Sequence, residues 1–243
     1  MRAIGIDGCK AGWVIWQVSD GVPTCQIMPE IADAVPLIQQ GAALIDIPIG
    51  FSDAASPDRE CDKAARRFLS PKRGSSVFPV PCREAAYANT YQEACDINVA
   101  RLGKKLSKQS WFILPKVKQV DQLLNQFPNL YLRESHPEVV FAALNNRQPL
   151  DYGKKSREGY QERLAIIQAI TPLEWVRALE HQIESTLVKH ASPDDLVDAF
   201  VLMLAAKHPQ HLSSLPEVLD KDPTGPVREI RKRQPTRPNK GRR

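Results

Sequence analysis

Four acidic side chains lie where a metal site would need them. Asp7, Asp46 and Glu134 each come at the end of a short apolar run that is typical of a buried strand, and Asp198 lies one turn into an apolar helix near the end of the chain. A carboxylate at the end of a core strand loses much of its hydration, so it needs a cation, a donor or a metal beside it. If the three strands are neighbours, the carboxylates meet at one edge of the sheet and require a cation.

The composition of this set indicates the chemistry. Asp and Glu oxygens without His or Cys are the ligands that Mg²⁺ or Mn²⁺ prefers, and both ions keep waters for phosphate substrates. Paired ions of this kind activate a water and stabilise the leaving oxygen of a phosphodiester. The set Asp7, Asp46, Glu134 and Asp198 therefore predicts a Mg²⁺ or Mn²⁺ site of the two-ion type that acts on a phosphodiester.

The helix that carries Asp198 begins with two further acids. In "SPDDLVDAFVLMLAA", Ser192 is placed as the N-cap, and Asp194 and Asp195 fall in the first turn, where the helix dipole favours a negative charge. Asp195 also shares a helix face with Asp198. Its position is that of a first-turn residue at the helix start, on the side of the helix that carries Asp198.

Each of the other candidate polar residues has both a structural and a functional interpretation. His136 and Glu138 follow Glu134 and either cap a helix start or support the metal site, with His136 as the candidate for proton transfer. Basic side chains either form a solvated face or bind the phosphates of a substrate. The proposed substrate-binding set is Arg59, Arg66, Arg73, Arg83 and Lys154, with Lys155 and Arg163 as weaker members.

The apolar pattern predicts an α/β fold. Strands are expected over 3–6, 13–18 and 24–28 as an antiparallel meander, then over 43–46 and 130–133. A helix is expected over 31–40, others over 58–69, 84–102 and 117–126 in a long insertion spanning about 52–128, and helical spacing over 157–208. We predict one domain over 1–224 and a basic disordered tail over 225–243.

Composition narrows the class of protein. Nine basic residues against two acidic ones follow from Lys221 onward, so the net charge of +5 belongs to the tail, and the rest of the chain is weakly acidic. The tail either solubilises the protein or contacts phosphates. Five cysteines without C-x-x-C spacing predict reduced thiols. No apolar run reaches the roughly 18 residues of a membrane span, which indicates a cytoplasmic protein without a membrane partner.

The order of these features resembles a known fold. A meander with Asp on its first strand, an acidic fourth strand and a late D-x-x-D-A helix is similar to the ribonuclease H-like layout, and "DDLVDAFVLMLAA" resembles the last helix of bacterial Holliday-junction resolvases. More specifically, the chain resembles the domain of unknown function 429 family, described as predicted nucleases of that fold. The motifs that carry this resemblance are "GIDGCKAGWV", "IDIPIGF", "RECDKAARR", "SSVFPVPCR", "LPKVKQVD" and "ESHPEVVFAAL".

The resemblance implies Asp7, Asp46, Glu134 and Asp198 as metal ligands and catalytic residues of a nuclease or phosphodiester hydrolase. It also implies Asp195 as a less certain fifth ligand, and nucleic acid as the partner. Two other functions stay open. One is a module of the same fold that binds nucleic acid or a protein without cutting. The other is an actin-like ATP-binding phosphotransferase, although "DGCKAGW" matches its phosphate turn poorly. The oligomeric state is also open, with a homodimer as one option.

Overall fold

Seven strands are present in the computed structural model, which describes residues 2–222 and 226–234. Five of them form the central sheet: β1 Arg2–Cys9, β2 Gly12–Val18, β3 Thr24–Met28, β4 Gly41–Ile45 and β5 Leu132–Glu134. Two form a separate hairpin: β6 Leu212–Lys221 and β7 Val227–Arg233.

The helices fall into two groups along the chain. Those before β5 are α1 Val35–Ile38, α2 Glu60–Leu69, α3 Arg83–Ala86, α4 Tyr91–Leu102 and α5 Lys108–Gln126. Those after it are α6 Pro137–Leu144, α7 Arg157–Ile170, α8 Leu173–Ser185 and α9 Pro193–Ala206. In the described ranges, no helix combines the length and the apolar character needed to cross a bilayer.

The central sheet has the order β3-β2-β1-β4-β5. Strands β1, β2 and β3 pair antiparallel, while β4 pairs parallel to both β1 and β5. This mixed sheet with flanking helices confirms the predicted α/β class and is consistent with a ribonuclease H-like fold. The expected meander and the two parallel strands are present.

Helix α9 packs directly on β1, and glycine makes this close approach possible. A Cβ atom added at Gly5 would lie 2.0 Å from the Ala199 carbonyl oxygen, so a larger residue would force the helix away. Next to this contact, the Trp16 indole N–H donates to the Leu196 carbonyl at 3.1 Å, and the Trp16 ring meets the Phe200 ring edge-on. The helix is therefore fixed against one face of the sheet. Helices α1, α4 and α5 cover the other face.

Three predicted helices have different bounds in the structure. The segment 31–40 is a 3₁₀ turn followed by the short α1, and the predicted helix 84–102 is split into α3 and α4. The split occurs because Thr90 caps α4 by accepting from the Glu93 N–H at 3.2 Å. Helix α5 begins earlier than predicted because Ser107 caps it at Ser110 N–H.

The prediction of a disordered tail from residue 225 is wrong for Val227–Arg233, which form β7. Arg228, Glu229 and Ile230 are buried there. Arg228 is held by Asp53 at 2.8 Å and Asp220 at 2.6 Å, so its charge is compensated within the fold. Residues 225 and 235–243 of the predicted tail lie outside the described part of the chain. All five cysteines are free thiols, as predicted.

Candidate metal centre

Three of the four predicted acids come together. Asp7, Asp46 and Asp198 each offer a carboxylate oxygen, and these oxygens lie within 4.8 Å of one another. The three residues come from β1, from the residue after β4 and from α9. Such a group of oxygens could hold a metal ion.

Strand register explains why Asp7 and Asp46 meet. The parallel pairing of β1 with β4 ends at Ile6 and Ile45, and the Asp46 N–H donates to the Ile6 carbonyl at 3.0 Å. Asp7 and Asp46 therefore follow the last paired residues side by side. Because side chains alternate along a strand, Asp7 faces the same side of the sheet as Gly5, where α9 is docked. The close contact at Gly5 thus brings Asp198 to the other two acids.

The site buries its carboxylates. Burial raises the pKa of Asp7 well above its ordinary value, and repulsion from Asp46 and Asp198 raises it further. Burial also raises the pKa of Asp198 to about 6, although Lys154 lowers it. The pKa of Asp46 is raised by burial, against the lowering effect of His136. Without a cation, the simultaneous ionisation of these three carboxyl groups is therefore unfavourable.

One ammonium group compensates part of this charge. Lys154 Nζ donates to Asp198 at 2.6 Å and lies 3.5 Å from Asp194. Burial lowers the pKa of Lys154, but Asp198 and Asp7 outweigh burial and raise it. In residues 2–222 and 226–234, no Lys or Arg forms an ion pair with Asp7 or Asp46. Among the described residues, Lys154 is thus the one ammonium that pairs directly with any of the three carboxylates, which leaves a deficit of positive charge that a divalent cation would match.

Two buried polar atoms beside the acids also fit a hydrated ion. Glu138 Oε2 and His136 Nδ1 have no hydrogen-bond partner among the described residues, and both side chains line the same cleft as the three acids. Buried polar atoms without partners are rare and often mark a missing water or ion. Water bound to a cation at Asp7, Asp46 and Asp198 would supply partners of this kind. Oxygen-only ligands and bound waters suit Mg²⁺ or Mn²⁺.

Glu134, predicted as the fourth ligand, lines the same cleft but is not in the close group of Asp7, Asp46 and Asp198. Its two oxygens accept from both terminal nitrogens of Arg59 at 2.8 and 2.9 Å, and Oε2 also accepts from the Ile49 N–H at 2.6 Å. Burial raises the pKa of Glu134 to about 7, against the lowering effect of Arg59. In the sheet Glu134 is paired with Ile45, one position before Asp46. The register therefore places Glu134 on the opposite face of the sheet from Asp7 and Asp46, at the strand end that borders the cleft.

Asp195, the candidate fifth ligand, is part of the helix start. Its Oδ2 accepts from the Ser192 N–H at 2.8 Å, and Ser192 in turn caps the Asp195 N–H, which makes a capping box. Its carboxylate is not in the group formed by Asp7, Asp46 and Asp198.

The predicted substrate-binding arginines are engaged within the protein. Arg59 is only 1% exposed and bridges Glu134 and Asp62. Arg66 donates to the Val77 carbonyl at 3.0 Å. None of these contacts requires a ligand. Arg59 is therefore a buried cation whose charge is compensated within the fold, and it borders the cleft.

Arg73 and Arg83 also have partners within the fold. Arg73 lines the cleft and donates to the carbonyls of Leu150 and Asp151, so it holds the loop that carries Lys154. Arg83 lies outside the cleft lining and pairs with Asp121 at 2.5 Å.

Two weaker members of the predicted basic set differ in their surroundings. Arg163 is buried against Glu138, which leaves only the second oxygen of Glu138 without a partner. Lys155 is exposed.

The three carboxylates line a cleft of about 660 Å³. Helix α5 makes one wall and contributes Phe112 and Lys116, which the sequence reasoning did not single out. Lys116 Nζ donates to the Gly12 carbonyl at 2.5 Å, and its side chain packs over Gly8, the residue after Asp7. In the sequence, the one sign of a role for Lys116 is its place in "LPKVKQVD", a motif that carries the family resemblance.

Comparison with known proteins gives a family. The family model described as "Protein of unknown function (DUF429)" matches residues 5–220. No curated protein and no solved structure matches the chain.

Proposed function

The chain belongs to the DUF429 family, whose description gives no activity, and we propose from the site itself that this protein is a Mg²⁺- or Mn²⁺-dependent phosphodiester hydrolase that acts on nucleic acid. The observation that carries the proposal is the buried group of Asp7, Asp46 and Asp198, whose oxygens lie within 4.8 Å of one another with one ammonium beside them. Carboxyl groups with strongly raised pKa values in a cleft are typical of functional sites, and acids that repel one another fit a site that binds a cation.

Each residue has a proposed role in this reaction. Asp7, Asp46 and Asp198 would hold one or two divalent ions, with shared carboxylates bridging a second ion. Such ions activate the attacking water and stabilise the leaving oxygen of a phosphodiester. Lys154 holds Asp198 and places a positive charge where the phosphate oxygens would lie. His136, with its free Nδ1 in the cleft, is the candidate for proton transfer.

One observation favours the non-catalytic alternative. Lys154 already neutralises Asp198 at 2.6 Å, so the site has a built-in cation. If this ammonium alone stabilised the acids, the fold would be a binding module that needs no metal. The two possibilities differ in their response to divalent ions, which bind and stabilise only a true metal site.

The test combines activity with metal binding. Wild type is incubated with Mg²⁺, Mn²⁺ or chelator and with single-stranded, duplex and branched DNA, RNA, RNA–DNA hybrid and ATP. We expect hydrolysis of a nucleic acid in Mg²⁺ or Mn²⁺ and its loss in Asp46→Asn and Asp198→Asn. Asp96→Asn on the exposed side of α4 is the matched control and should keep full activity. Cleavage of ATP alone would support the phosphotransferase, and the absence of any metal response would support the binding module.

A further inference from the structure

Phe112 is a solvent-exposed aromatic side chain in the lining of the cleft. It is 73% exposed and lines the same cleft as the three acids. Every other Phe or Trp in the described ranges is buried or half-buried. Exposed apolar residues are common on protein surfaces when scattered singly, but this one stands at the wall of the site. Its position therefore indicates a ligand with an apolar face.

Helix α5 presents Phe112 as part of a continuous face. Gln109, Phe112, Ile113 and Lys116 all line the cleft, and their spacing of three, four and seven residues places them on one side of a helix. The opposite side is buried in the core. At the start of the helix, the Ser110 hydroxyl donates to the Pro79 carbonyl at 2.9 Å. The face is thus carried by a fixed element, which favours precise contacts with a ligand.

Further along α5, two hydrogen bonds connect the helix to β2. The Trp13 indole N–H donates to Gln119 Oε1 at 2.8 Å, and Lys116 donates to the Gly12 carbonyl. Lys116 packs against Gly8, so the inner end of the face adjoins Asp7. Phe112 lies four residues earlier, about 6 Å along the helix axis. The face therefore runs from an aromatic ring at its outer end to a positive charge beside the proposed metal site.

We propose that Phe112 is a stacking platform for an unpaired base of single-stranded nucleic acid, whose scissile phosphate lies over Asp7, Asp46 and Asp198. This inference rests on the proposed function and names its substrate. A base, a sugar and a phosphate follow one another over the same short distance that separates Phe112 from Lys116. Stacking on an aromatic side chain requires a base with a free face, which a base inside a duplex does not offer. The cleft volume of about 660 Å³ suits a short stretch of single strand.

The test measures binding, with Ca²⁺ replacing Mg²⁺ so that cleavage does not interfere. The probes are a fluorescein-labelled ten-nucleotide deoxythymidylate, the same backbone with abasic sites and a ten-base-pair duplex. Fluorescence anisotropy gives the dissociation constants. Phe112→Ala should weaken binding of the deoxythymidylate by about 5- to 150-fold, since loss of base stacking costs about that factor. Binding of the abasic probe should not change.

Two further variants separate stacking from general apolar contact. Phe112→Trp should bind the deoxythymidylate as well as wild type, whereas Phe112→Leu should lose most of what Phe112→Ala loses. Leu173→Ala, which removes an exposed apolar side chain on α8 outside the cleft lining, should have no effect. Because Phe112 is exposed, all its variants should melt at the wild-type temperature.

Several results would overturn the inference: equal losses on the base-bearing and abasic probes, wild-type affinity in Phe112→Leu, or no binding of the deoxythymidylate by the wild type. The proposed function is tested separately by the rise in melting temperature with Mg²⁺ or Mn²⁺ in wild type and Asp7→Asn. If metal raises the melting temperature but Phe112 variants show no preference for bases, only the stacking inference fails. If metal has no effect, the proposed hydrolase fails, whatever the base preference.

Discussion

Asp7→Asn tests whether the acids are held together for a metal. At an effective dielectric constant of about 20, two unit charges 4.8 Å apart repel by about 3 kcal/mol. Asp7 has two such neighbours, Asp46 and Asp198, and Lys154 offsets part of the repulsion. The raised pKa of Asp7 also lets it take up a proton and so limits the cost. We therefore expect Asp7→Asn to stabilise the metal-free protein by roughly 1–3 kcal/mol.

The assay is thermal unfolding in chelator and in saturating Mg²⁺ or Mn²⁺. For a chain of this size, 1 kcal/mol corresponds to about 2–4 °C in melting temperature. A hundredfold excess of ion over its dissociation constant contributes about 2.7 kcal/mol, so metal should raise the wild-type melting temperature by about 5–10 °C. In Asp7→Asn this increment should shrink, because a ligand is lost. Asp96→Asn should behave as wild type.

A different outcome would refute the reasoning. If Asp7 were a structural acid bonded to a cation of the protein, its loss would leave that charge buried and would cost about 3–5 kcal/mol. A large drop in the melting temperature in chelator, together with an unchanged metal increment, would assign Asp7 to such a structural role.

Three further changes are predicted. Glu134→Gln should lower stability by about 1–3 kcal/mol, because it weakens the pairing of buried Arg59, which then keeps the carboxylate of Asp62, and thermal scans should show an unchanged metal increment. The pKa of Asp198 is about 6 in the folded protein and 3.8 in the unfolded protein. Protonated Asp198 therefore contributes fully to the stability of the metal-free protein below pH 3.8, and this contribution is lost as the pH rises through 6. The metal increment, measured from pH 5 to 7, should therefore grow with pH. Ile230→Ala should cost about 2–5 kcal/mol in denaturant unfolding, since Ile230 is buried.

The controls for these changes are exposed positions. Val218→Ala on β6, at 84% exposure, should leave the stability unchanged and so calibrates the loss at Ile230. An unchanged stability in Ile230→Ala would mean that β7 is not packed as the structure has it. A metal increment that disappears in Glu134→Gln would return Glu134 to the ligand set. A metal increment that is constant between pH 5 and 7 would mean that protons and metal do not compete at Asp198.

Local patterns predicted the sheet well because each strand is an apolar run with clear ends. The same patterns identified Asp7, Asp46 and Asp198, since an acid after a core strand or on an apolar helix face is visible from neighbouring residues alone. Glu134 has the same local pattern, but its carboxylate pairs with Arg59 and is not in the group of the three acids. Its side of the sheet depends on the register of β5 against β4, which pairs it with Ile45, and a shift of one residue reverses the face.

The basic residues were the least predictable part of the chain. A charge run such as "REIRKR" carries no sign of burial, and its place in β7 depends on partners far away in sequence. Arg228 pairs with Asp53, and Ser135 donates to the Arg231 carbonyl at 2.7 Å beside the central sheet. Buried Arg59 is a similar case, since its partner Glu134 follows 75 residues later. Composition alone treats such residues as solvated or free to bind phosphates.

The motif "GIDG" links the strand, the helix and the site. Gly5 and Asp7 are two residues apart on β1 and so face the same side of the sheet. Gly5 has no side chain, which lets the backbone of α9 approach to a distance that any Cβ atom would block. Asp198 directly precedes Ala199, the residue whose carbonyl faces Gly5, and this close approach is what brings its carboxylate to Asp7. The glycine therefore sets the geometry of the acid group, and Asp7 supplies one of its ligands from the same face of the same strand.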